Sequence, residues 1–167
     1  GIVETLVDGE KDVEKLKKTF CHTWDYLKKQ YGEKTANALF PYSTQKGLIA
    51  YDYINLENLK SKTNLPIECY KNSLSLVDPT EQNSRAGRYE AAAEGEKESL
   101  RKDYIRTNEV FSVLKEHFGE SITYREYFNY YLELDIMLLT DYFEKLRDQL
   151  IDTHKLDPAY HTGLAGY

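Results

Sequence analysis

A chain of 167 residues, 41% hydrophobic and 30% charged, is long enough for one domain with one core and too apolar for wholesale disorder. Its net charge of −6 argues against gripping nucleic acid alone, which usually takes a basic face, but leaves room for a carboxylate site that meets DNA through metal ions. No apolar run reaches membrane length, so no membrane partner is expected. Nine glycines and four prolines favour helices over a turn-rich sandwich. Fifteen tyrosines suit half-wet cores and interfaces better than base stacking, judged on composition alone. Cys21 and Cys69 form no CxxC pair, which suggests reduced thiols and an intracellular setting, the nucleus included. Cys21 and His22 are adjacent, a pair that tetrahedral zinc sites rarely use without a second pair. No signal peptide is visible at Gly1, and the abrupt ends are compatible with an excised segment.

In chain order, Lys11 to Tyr31 reads as a helix, with Val13, Leu16, Phe20, Trp24 and Leu27 on one face. Tyr31-Gly32 predicts a stop, and a second helix is predicted from Glu33 to Leu39, ended by Pro41. Lys46 to Ile54 shows no helical period and reads as an extended segment or short strand. Leu65-Pro66 predicts an extended turn. Asp78 to about Glu96 reads as a mobile insertion or a short exposed helix. Leu100 to Phe118 is predicted helical, with Gly119 in the position of a terminating glycine. Thr123-x-x-Glu126 is a capping box that opens a last helix ending near His154. Leu132, Ile136, Leu139, Phe143, Leu146 and Leu150 form a strict seam along it, read as its core face. The fold expected is mainly α with one or two short strands.

The chemistry centres on that last helix. Asp135 interrupts the apolar run Tyr131 to Leu139 and is expected to be at least partly buried, a costly place for a carboxylate unless it is bonded or metal-bound. Tyr131 stands one turn earlier. Together they offer a metal ligand and a phenol able to orient a water. The competing reading makes Asp135 a helix cap or salt-bridge partner and Tyr131 a core residue. On spacing alone that reading is favoured.

Tyr131-x-x-x-Asp135 in a long apolar helix resembles the third exonuclease motif of family B DNA polymerases. The stretch Tyr130 to Arg147, continued at Leu156-Asp157-Pro158-Ala159-Tyr160, resembles the protein-primed branch, especially polymerases of large eukaryotic DNA transposons and related viruses. Lys46 to Ile54 resembles the K-G-x-x-x-Y-x-Y-h block found upstream there, and Leu65-Pro66 with Tyr70 the segment that follows. The resemblance covers most of residues 11–164 and lapses at about 79–98, which then reads as an insertion. It implies one partial domain. Residues 1–155 would end a ribonuclease-H-like (α/β) exonuclease domain, and residues 156–167 would begin its link to the polymerase palm.

The resemblance further implies that Asp135 is a ligand for Mg2+ or Mn2+, ions suited to hard oxygen donors. Tyr131 would position the attacking water or the scissile phosphate, and Lys46, with Ile49 as its hydrophobic companion, would stabilise phosphate charge. The implied partners are DNA, a terminal protein and the remaining polymerase domains. Asp8-Gly9-Glu10 has the letters of the first motif but stands at a glycine turn before a lysine-rich helix, and is not read as that motif. The second motif and the palm carboxylates are absent. One carboxylate cannot hold two metal ions, so the isolated chain is expected to be inactive. The alternatives are a polymerase-derived helical interaction module without catalysis, and an unrelated enzyme pairing Asp135 with His154.

Overall fold

The computed structural model describes residues 12–73 and 92–160. Helices α1 (Val13–Thr19), α2 (Cys21–Ser43), α3 (Glu94–Phe118) and α4 (Tyr124–His154) build it. Between α2 and α3 run 3₁₀ turns at Tyr51–Tyr53, Asn58–Lys60 and Ile67–Ser73. The fold is mainly helical, as expected. The one or two short strands are not found among the described residues. The expected extended segment is not a strand: Lys46 to Ala50 has no regular secondary structure and Tyr51–Tyr53 is a 3₁₀ turn. Side chains meet its backbone instead: the Tyr127 hydroxyl donates to the Leu48 carbonyl at 2.8 Å and Arg106 Nη2 to that of Lys46 at 2.6 Å. Asp8, Glu10, residues 79–91 of the expected insertion and the end of the expected palm link lie outside the described residues.

The helix expected from Lys11 to Tyr31 is two helices. Asp12 caps α1 by accepting the Glu14 N–H at 3.0 Å. The backbone then leaves the helical region at Phe20 (φ −106°, ψ 52°), because the next free N–H groups are taken by a carboxylate from α4. The predicted break at Gly32 is present: its φ of 77° lies in the left-handed region that glycine enters without a side-chain clash. The helix beyond continues through Pro41 to Ser43. The carbonyl that a residue-41 N–H would have met belongs to Asn37, an exposed residue, so the missing donor leaves no buried carbonyl orphaned. Helix α3 starts at Glu94, so residues 94–98 of the expected insertion are its first turn and more. It ends at Gly119, φ 68°.

Helix α4 opens as its capping box requires. The Glu126 carboxylate accepts the Thr123 N–H at 2.6 Å and also meets the Thr123 hydroxyl. Partial burial pushes the Glu126 carboxyl up, but the Thr123 hydroxyl, the Thr123 and Glu126 N–H groups and Arg125 outweigh it and hold it below its usual 4.5. A carboxyl depressed on folding adds stability above its unfolded value and loses it as pH falls through the folded one. Acid titration of unfolding is therefore expected to show Glu126→Gln less stable than the parent near neutral pH, with the difference closing as pH drops below 4.5.

The core lies where α4 crosses α2 and α3. The face of α4 that enters it is Tyr124, Tyr127, Tyr130, Tyr131, Leu134 and Leu138. The seam read from sequence as core is instead exposed over its first four residues (Leu132 43%, Ile136 59%, Leu139 62% and Phe143 37% accessible) and half-buried at Leu146 and Leu150. Tyrosine wins the interior because each ring buries more area than leucine and each hydroxyl has a partner. Tyr130 meets Ser43 Oγ at 2.7 Å, and Tyr70 meets Tyr124 at 3.0 Å. Burial pushes the Tyr124 hydroxyl up to about 12. Chemical denaturation should place Leu139→Ala within about 0.5 kcal/mol of the parent. Leu114→Ala, fully buried on α3, should lose about 2–5 kcal/mol. No helix among the described residues is long and apolar enough to cross a membrane.

Candidate functional site

Two patches singled out in the sequence meet in space. The Tyr131 ring lies directly over Gly47: a Cβ built at residue 47 would stand 2.8 Å from Tyr131 Cδ2 and 3.3 Å from Cε2. Only glycine admits a ring that close. At the surface end of the ring, the Tyr131 hydroxyl meets that of Tyr51 at 2.9 Å. Burial first, then the Tyr51 hydroxyl, then the charge on Asp135 push the Tyr131 phenol up, so it stays protonated as a hydrogen-bond donor. The Lys46-Gly47 block is thus the floor under Tyr131. Ile49 is buried beside it and Lys46 is exposed.

Asp135 is exposed, contrary to the expectation of burial. The helical period explains this. Asp135 falls between the buried tyrosine face and the exposed Leu132, Ile136, Leu139 stripe, so its carboxylate opens to solvent at the border of both. Among the described residues no hydrogen bond or ion pair joins Lys46 to Tyr131 or Asp135. His154 lies 19 positions further along α4, about 28 Å along the axis at the rise of a helix, which removes it as a partner of Asp135. The surface therefore presents the Asp135 carboxylate near a Tyr51–Tyr131 phenol pair. It suits one hard-oxygen ligand of a divalent ion and a group that orients water. Among the described residues it does not gather the ligands of a two-metal centre.

The buried carboxylate of α4 is Asp141, 3% accessible. Its Oδ1 accepts the His22 N–H at 2.8 Å, and its Oδ2 accepts the Thr23 N–H at 3.0 Å and the Thr23 hydroxyl at 2.7 Å. These are the orphan donors at the start of α2, so Asp141 caps that helix from across the fold. Cys21 Sγ lies 3.8 Å from Oδ1. Shielding from water and then the Asp141 charge push the Cys21 thiol up. Donor atoms of Cys21, His22 and Asp141 all lie within 4.8 Å of one another. Sequence reading missed Asp141, although its spacing from Leu134 and Leu138 puts it on the buried face. Cys21 and Cys69 do not form a disulfide.

Set beside protein-family models, curated proteins and solved structures, the chain matches none of them.

Proposed function

We propose that this chain is the segment of a protein-primed family B DNA polymerase that carries the third 3′–5′ exonuclease motif, at the C-terminal end of a ribonuclease-H-like domain leading toward the palm. The observation that carries the reading is the seating of Tyr131 on Gly47. Two motifs that resemble the family at separate places in the sequence are in direct contact, with exposed Asp135 at the edge of that contact. In this reading Asp135 binds one of two Mg2+ or Mn2+ ions in the whole polymerase. Such an ion activates water and steadies the leaving oxygen at a DNA 3′ end. Tyr131, held by Tyr51, orients the attacking water or the phosphate. Lys46 is exposed and available for phosphate charge. The other carboxylates come from the remaining polymerase domains, and the chain alone has no exonuclease or polymerase activity. A terminal protein as primer follows from the same reading.

The direct test is the reading frame on either side of the segment in the source transcript. Continuation upstream into a strand-borne D-x-E and downstream into palm carboxylates is the expected result. A frame that opens and closes at this segment overturns the proposal.

The exposed apolar stripe favours a second reading, a helical interaction module without catalysis. Leu132, Ile136, Leu139 and Phe143 form a contiguous exposed face on α4, unpartnered among the described residues. In the polymerase reading the same face is covered by the rest of the enzyme. The two part at Asp135→Ala, which leaves a docking function intact and removes exonuclease activity.

A further inference from the structure

We propose that Cys21, His22 and Asp141 bind one zinc-type divalent transition-metal ion that pins the start of α2 to α4. This site is separate from Asp135 and does not rest on the polymerase reading. Its donors are one thiol, one imidazole and one carboxylate, drawn from two helices far apart in sequence and gathered within 4.8 Å. Thiolate and imidazole select a borderline-soft ion over Mg2+ or Mn2+. The sulfur–oxygen spacing is close to what such an ion sets. Zinc–sulfur and zinc–oxygen bonds of about 2.3 and 2.0 Å at a tetrahedral angle hold S and O roughly 3.5 Å apart. Cys21 Sγ and Asp141 Oδ1 stand at 3.8 Å.

The lone pairs of Asp141 leave room for the ion. Oδ2 is committed to Thr23, through both the backbone N–H and the hydroxyl. Oδ1 accepts one strong bond, from the His22 N–H, and otherwise faces only the weak donor of the Cys21 thiol. The ion takes the place of the thiol proton, which leaves to the buffer, while the cap on α2 stays in place. An adjacent Cys-His pair is a poor chelate by itself. Here Asp141 supplies a third ligand, already fixed by the cap. The electropositive start of α2 opposes a cation with about half a charge. The thiolate and the Asp141 carboxylate oppose that with two full negative charges. Cys21 and His22 are exposed, which gives the ion a way in and leaves a fourth position for water.

The full chain, purified without a histidine tag and stripped of metal, is titrated with Co2+ and then Zn2+. One equivalent is expected to bind. Co2+ should give a thiolate-to-cobalt charge-transfer band that Zn2+ erases, and Zn2+ should raise the melting temperature. Cys21→Ser and His22→Ala lie on exposed side chains and are checked for fold by circular dichroism. Each should weaken binding about tenfold or more and abolish the thermal shift. Millimolar Mg2+ should produce neither signal. Absence of saturable one-to-one binding, a cobalt spectrum without the thiolate band, or parent-like affinity in either variant overturns the proposal.

Discussion

Asp141→Ala is expected to destabilise the chain by about 3 kcal/mol, read by urea unfolding at neutral pH. The substitution strands the His22 and Thr23 N–H groups and the Thr23 hydroxyl, in a site where Thr23 is fully buried. An exposed helix cap usually contributes about 1 kcal/mol. The larger figure follows because three donors lose their acceptor at once, and Thr23 among them is fully buried. The loss should be local in origin: hydrogen exchange at the start of α2 should speed up before the rest of the core responds. Asp141→Asn keeps one acceptor oxygen but turns an amide against a backbone donor, so it should fall between the parent and Asp141→Ala. A loss under about 0.5 kcal/mol for Asp141→Ala would mean that the Phe20 break has another cause.

Gly47→Ala is expected to cost about 1–3 kcal/mol by overpacking against Tyr131. A methyl group at 2.8 Å from Cδ2 cannot be absorbed by rotating the ring, because Tyr131 is buried and its hydroxyl is bound to Tyr51. The cause is checked with a double-mutant cycle. Gly47→Ala combined with Tyr131→Ala should cost less than the sum of the single changes, because the added methyl group fills part of the space the ring leaves. Full additivity would mean that the two residues do not press on each other in solution. In the polymerase reading the same substitution should also lower exonuclease turnover, since it moves the phenol that orients water without touching Asp135.

Much of the helical frame was legible in the sequence. Gly32, Gly119 and the Thr123–Glu126 box mark boundaries through local backbone chemistry, and local chemistry is visible in a short window. The break at Phe20 was not legible, because its cause is Asp141, about 120 positions away. The face of α4 was misread for a related reason. A leucine seam with alternating spacings of three and four is the usual sign of a core stripe. Here the helix carries two apolar faces, and the tyrosine face wins because Ser43, Tyr51 and the Leu48 carbonyl stand ready for its hydroxyls. Those partners lie on other elements and leave no periodic trace. Of the expected site, Tyr131 and Asp135 fall on one helix as spacing requires. That Gly47 and Tyr51 lie against Tyr131 follows only from packing.

The account turns on whether Asp135 serves hydrolysis of a DNA 3′ end. The decisive measurement is Mg2+- or Mn2+-dependent degradation of single-stranded DNA by the product of the uninterrupted reading frame, beside its Asp135→Ala variant. The expected result is a loss of about a hundredfold or more in degradation rate, with unchanged thermal stability because Asp135 is exposed. A parent protein that degrades no DNA, or a variant that degrades it at the parent rate, would contradict the account.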